Sequence, residues 1–304
     1  MILSYSVKNN SLVINVKQIL KNEFFLSDRL IRKLKLNNKI YINNMPASVN
    51  FRVKTSDVVS VNIDFEEDNS NIVPTKMDLD ILYEDDAYLI INKPAGITTH
   101  PSYLHYTNSL SNGIKYYFDS IKLKKKIRPV NRLDRNTSGI VIFAKNEYIQ
   151  ECLIRQMQNN IFQKEYIAIL SGNLEKTIGT INAPIARKSN SIIERCIRTD
   201  GDTAITEYKV IQNIQNNSLV LFKLKTGRTH QIRVHSQYIG HPIIGDTLYG
   251  SSSPIIDRQA LHSYKVNFIH PISKEEVTYI APIPDDMSKI ISPYFNNSKK
   301  FNFS

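Results

Sequence analysis

Cysteine is nearly missing from this sequence. Cys152 and Cys196 are the whole complement of 304 residues. Without a C-x-x-C spacing they can build neither a disulfide framework nor a thiolate zinc site, so a reducing compartment is expected. No stretch of about 18 apolar residues occurs, which leaves no candidate membrane-spanning helix. The start MILSYSVKNN has no basic head followed by an apolar run, and a cytoplasmic protein is the expectation. No Gly-rich phosphate loop opens a helix after a strand, so a nucleotide cofactor has no obvious seat. With 10 Gly, 12 Pro and 41% hydrophobic residues, the composition is that of an ordinary globular protein rather than a collagenous or disordered one. Nothing in the chain fixes an oligomeric state, and a monomer is the default.

What is present in excess is positive charge. Lys and Arg number 39 against 28 Asp and Glu, a net +11, which favours a polyanionic partner such as nucleic acid. The excess is uneven: residues 1–63 hold ten Lys and Arg (8, 17, 21, 29, 32, 33, 35, 39, 52, 54) against three acids (23, 28, 57). The stretch EEDNSNIVPTKMD, residues 66–78, then replaces apolar patterning with acids, Asn, Ser and Pro, as a linker does. Three segments follow: 1–65, a linker at 66–78, and a larger unit at 79–304.

In the first segment Ser27 can cap a helix over residues 28–36, with Leu30, Ile31 and Leu34 on one face and Arg29, Arg32, Lys33 and Lys35 towards solvent. A charged helix face by itself is usually solvated surface. Here it is followed by YINNMPASVNFRVKTSDVVSV, short alternating runs broken by turn residues. The pattern over about residues 13–63 resembles the small α/β RNA-binding module first described in a small-subunit ribosomal protein. That resemblance implies RNA contacts from Arg29, Arg32, Lys33 and Lys35.

Beyond the linker, strands are expected at 88–92, 140–144, 165–170, 204–211 and 219–225, and helices near 108–118, 147–160 and 229–239. Strands outnumber helices and do not alternate with them. The larger unit should therefore be an α+β domain with a mixed, largely antiparallel sheet flanked by helices and loops.

Three stretches carry chemistry. In RPVNRLDRNTSG, residues 128–139, Asp134 stands among Arg128, Arg132 and Arg135 just before an apolar strand. Guanidinium neighbours would keep it ionised, ready as a nucleophile or base. The plain alternative is an Asx turn, with the carboxylate bonded to the backbone at Asn136 or Thr137. In QKEYIAILSG, residues 163–172, strand alternation puts Lys164 and Tyr166 on one face. In TGRTHQIRVHSQYIGHPIIGDTLYG, residues 226–250, Arg228, His230, Gln231, Arg233 and His235 crowd a helix start at a density unusual for core. His230 and His235 are five apart, off the i, i+4 spacing of helical metal ligands, so no metal is expected.

Together these three stretches resemble, in order, the signature motifs of the RluA-like pseudouridine synthases, and NKPAGITTHP resembles the turn that precedes them. The resemblance covers about residues 79–285. It implies isomerisation of uridine in RNA to pseudouridine without cofactor or metal. It also implies Asp134 as the catalytic aspartate, Tyr166 stacking on the target base, Arg233 pairing with the aspartate and Arg132 helping to extrude the nucleotide. Large-subunit ribosomal RNA is the implied substrate, with transfer RNA the competitor. Asn131 stands where the family often has His, so a support role there is altered. His100 and Pro101 resemble a loop near the family's cleft. Two rival readings remain at this point: a catalytically silent RNA-binding or ribosome-assembly factor, and a metal-dependent hydrolase on His230, His235 and His241.

Overall fold

A computed structural model of the chain describes residues 1–8, 14–101 and 106–294; residues 9–13, 102–105 and 295–304 lie outside the described residues. In chain order the N-terminal part comprises β1 (Ile2–Ser6), α1 (Val16–Asn22), α2 (Asp28–Leu36), β2 (Ile40–Ile42), β3 (Met45–Pro46) and β4 (Val58–Asn62). Its four strands form one sheet in the order β1-β4-β2-β3. The expected helix forms: Ser27 Oγ accepts from Leu30 N at 3.3 Å, and Leu30, Ile31 and Leu34 are buried. The preceding α1 was not expected. It starts at a capping box between Asn15 and Gln18 and buries Val16, Ile19 and Leu20.

The larger part comprises β5 (Ile81–Glu84), β6 (Tyr88–Lys93), α3 (Leu110–Ser120), β7 (Arg128–Pro129), β8 (Ser138–Ala144), α4 (Glu147–Gln158) and β9 (Gln163–Ser171). It continues with β10 (Ile178–Asn182), β11 (Ile185–Arg187), β12 (Arg195–Ile197), β13 (Ile205–Ile214), β14 (Asn217–Leu224), α5 (Gln231–Tyr238), β15 (Leu261–Ile269), β16 (Glu276–Ile280) and α6 (Asp285–Ile291). A ten-stranded sheet runs in the order β10-β13-β14-β9-β15-β8-β6-β5, with β16 on β15 and β7 on β8. Among the described residues, the β15–β8 pairing is the one parallel strand pair of this sheet. The fold is therefore α+β with a mixed, largely antiparallel sheet, as expected. The apolar run of β8 is buried at all seven positions, because both of its faces are covered.

At the β8–β15 junction Gly139 has φ +108°, and a Cβ there would lie 2.2 Å from Ser263 O. Gly139→Ala should therefore destabilise the protein by at least ~2 kcal/mol through backbone strain and overpacking. Chemical denaturation checks this, and an unchanged midpoint would contradict it.

The two parts share one hydrophobic cluster, in which Leu30, Leu34 and Val61 join Ile149, Leu153 and Phe268. Polar ties reinforce it: Ser27 Oγ donates to Glu151 at 2.8 Å, and Arg155 donates to Phe25 O at 2.7 Å. Residues 66–78 contain no helix or strand, yet they are laid down firmly. Asn69 accepts from Ile127 N at 2.9 Å, and Glu67 receives Arg128 at 2.7 Å and Lys33 at 2.8 Å. Burial opposes the charge of Glu67, but Arg128 and Lys33 hold its carboxyl down at about 2.

Candidate active site

The turn before β8 and the NKPAG turn after β6 are tied into one unit. Gly96 N donates to Arg135 O at 2.9 Å, and Arg135 Nε returns a bond to Gly96 O at 2.8 Å. Beneath them the fully buried Lys93 donates to Pro94 O, Ile97 O and Arg135 O at 2.8–3.0 Å, three acceptors for the three hydrogens of an ammonium. Burial pushes Lys93 down to about 7, while the charge of Asp134 pulls it back up.

This unit presents Asp134. Thr137 N donates to the main-chain oxygen of Asp134 at 3.1 Å, and the Asp134 side chain points instead at Arg233 Nη1, 3.2 Å away, and His230 Nε2, 3.7 Å away. The carboxyl is 28% exposed, held from behind yet reachable from the front. The arginine that steadies it is not a sequence neighbour. Arg128 is taken by Glu67 and Arg135 by Gly96, and Arg132 is exposed at the cleft mouth, because successive side chains of an extended turn diverge.

Arg233 is itself anchored. It forms a bidentate pair with Asp246 at 2.7 and 2.8 Å, and its guanidinium lies 5.0 Å from the Tyr249 ring. Burial works against its charge, but Asp246 and Asp134 together outweigh burial, so Arg233 holds its proton more tightly than a free arginine. Asp246 is 1% exposed and also accepts from Leu248 N and Tyr249 N. Tyr249 in turn bonds His230 Nδ1 at 2.8 Å. Burial pushes the His230 imidazole towards its neutral form, against the pull of Asp134. His230 starts α5 from a left-handed conformation, φ +58°, which turns its ring back towards the cleft.

Asp134, Tyr166, His230, Arg132, His100 and Lys164 line one cavity of about 1080 Å³. Tyr166 is 6% exposed, and burial together with the charge of Asp134 pushes its hydroxyl up to about 12. The expected trio of Asp134, Tyr166 and Arg233 thus converges, with Arg233 behind the carboxylate rather than in the cavity. Asn131 bonds Ile140 O and Ile142 N, both at 2.9 Å, bracing the start of β8.

Two expectations about polarity are corrected. Gln231 and His235 are core groups whose bonds are made internally, Gln231 to Thr226, Ile205 and Thr206, and His235 to Thr206 and Ala183. His241, in the turn after α5, bonds Ser171 O on β9, while His230 bonds Tyr249 and His235 bonds Thr206 and Ala183, so the three histidines have separate partners. Among the described residues no three His, Cys, Asp or Glu side chains are grouped as metal ligands. On α2, Arg32 and Lys35 face solvent as expected, but Lys33 is turned inward between Glu67 and Glu147 and over the Phe65 ring, and Arg29 pairs with Glu147 at 3.2 Å. The pairing partners come from the linker and α4, which the helix's own sequence does not reveal. Asp246 and Lys93 were not singled out from sequence; the one signal for Asp246 was that a buried arginine requires a carboxylate.

A carboxylate backed by a buried guanidinium, beside an aromatic ring in a cleft large enough for a nucleotide, is the site of an enzyme acting on a base removed from its stack. The profile of the RNA pseudouridylate synthase family matches residues 87–238. The chain belongs to this family, in its RluA-like branch, and is an RNA pseudouridine synthase. It is 38% identical over 270 residues to the uncharacterized RNA pseudouridine synthase YjbO of Bacillus subtilis, covering 88% of this chain and 95% of that one. It is 32% identical over 302 residues to ribosomal large subunit pseudouridine synthase D of Vibrio cholerae, covering 94% and 92%. Among solved structures, human RNA pseudouridylate synthase domain containing 1 superposes with a TM-score of 0.56 at 27% identity, covering 67% of this chain and 83% of that one.

Proposed function

We propose that this protein converts specific uridines of large-subunit ribosomal RNA to pseudouridine, with Asp134 as nucleophile or base. The observation that carries the reading is the Asp134–Arg233 contact of 3.2 Å at the floor of the cavity that Tyr166 also lines. The reaction is an isomerisation: the bond from ribose C1′ to N1 breaks, a bond from C1′ to C5 forms, C5 loses a proton and N1 gains one. Asp134 either adds to the sugar or ring or removes a ribose proton, and both routes use a free carboxylate. Tyr166 offers the stacking surface for the extruded base, and Arg132 at the mouth is placed to hold the displaced strand. The Vibrio relative's name points to ribosomal rather than transfer RNA.

The N-terminal part supplies affinity through the exposed Arg32 and Lys35, with Arg29 alongside. Lys33 is better assigned to docking. Charge reversal at Arg32 and Lys35 should weaken RNA binding and flatten its salt dependence by about 0.7–0.9 in log–log slope for each phosphate that is no longer neutralised. Titration of binding across salt concentrations checks this, and an unchanged slope would remove α2 from the interface.

Pseudouridine mapping of total RNA from a strain lacking this protein tests the substrate assignment. Loss of sites in large-subunit ribosomal RNA is expected. Loss confined to transfer RNA would overturn it.

A further inference from the structure

Lys164 and Tyr166 occupy alternate positions on β9, so they share a face about 6–7 Å apart, and both line the Asp134 cavity. The intervening Glu165 is buried and meets Lys265 Nζ at 3.5 Å, so it is not the partner of Lys164. The ammonium lies against Gly227 in the turn between β14 and α5, where an added Cβ would be 3.3 Å from Nζ. Among the described residues no carboxylate pairs with Lys164. Burial lowers its proton affinity and no neighbouring charge offsets that. A half-buried cation without a counter-charge costs free energy in the free protein, and such a cost is recovered when a ligand brings the anion.

We propose that Lys164 binds the phosphodiester adjacent to the uridine that stacks on Tyr166, fixing the nucleotide's depth in the cleft. A nucleotide whose base lies on the Tyr166 ring brings its flanking phosphodiesters into the same cavity, which the Lys164 side chain also lines. Lysine suits this task as a compact point charge. The absence of a side chain at Gly227 leaves the Lys164 ammonium its space at the cavity wall. The inference rests on the proposed function, and Lys164 acts here as a positioning residue through binding rather than on the reacting atoms.

The test uses the full-length protein and an RNA hairpin carrying a mapped target uridine, with the 5′ or the 3′ linkage of that uridine made neutral as a methylphosphonate. Turnover of the unmodified hairpin by the wild type comes first, and its absence would count against the proposed function before Lys164 is touched. Lys164→Met should then raise KM by about 10- to 100-fold with kcat little changed, since a hydrogen bond to a charged group is lost. One of the two neutral linkages should raise the wild-type KM by a similar factor and have no further effect on Lys164→Met. Losses that multiply at both linkages would overturn the proposal. The free Lys164→Met protein should melt no lower than the wild type, and a lower melting temperature would reveal a structural partner and overturn it equally.

Discussion

Asp134→Asn is expected to cut turnover by ~10⁴-fold or more while leaving RNA affinity nearly intact. An amide has the size of the carboxylate, and its oxygen can still accept from Arg233 Nη1, now 3.2 Å from Oδ2, so the cleft keeps its shape. What is lost is a group able to attack carbon or take a proton. The carboxyl is not needed to hold its own loop: Thr137 N uses the main-chain oxygen, and Lys93 and Gly96 tie down Arg135. Single-turnover kinetics beside a binding titration separates the two quantities. A parallel loss of affinity would mean that Asp134 acts in binding and not in the chemical step.

Arg233→Met should have a second large effect of a different kind. Asp246 is 1% exposed and loses both of its guanidinium bonds, and breaking a buried pair from one side costs about 3–5 kcal/mol. A drop in melting temperature of roughly 10 °C follows, together with loss of turnover as the Asp134 carboxylate is no longer oriented. Adding Asp246→Asn removes the stranded charge while keeping an acceptor for Leu248 N and Tyr249 N. The double variant should regain most of the stability and none of the activity. Recovery of both would show that Arg233 serves only the fold, and recovery of neither would show that the Asp246 charge is not what destabilises the single variant.

The parts of this molecule legible in its sequence are those whose cause is local. Ser27 before an amphipathic run marks α2, and the continuous IVIFA run marks the doubly covered β8. The sheet's middle was less legible. β15 pairs with both β9 and β8, yet LHSYKVNFI carries no turn signal that announces it, and its role is set by partners about 100 residues earlier in the chain. The site divides in the same way. Asp134, Tyr166 and Arg233 were expected to converge because three separate motifs pointed to them together. Lys33 was read as solvent-facing because its partner Glu67 lies in a segment that looked like a free linker. The ion pair that anchors Arg233 crosses from a helix to a GD turn 13 residues away, where no helical or strand periodicity links the two.

Release of tritium from RNA labelled at uridine C5, with purified protein and a chelator present, tests the central claim most directly. Isomerisation moves the glycosidic bond to C5 and must expel that hydrogen. Tritium should appear in water in proportion to pseudouridine formed, and should be absent with Asp134→Asn. RNA bound tightly by the wild type with no tritium released from large-subunit ribosomal or transfer RNA would contradict catalysis at Asp134.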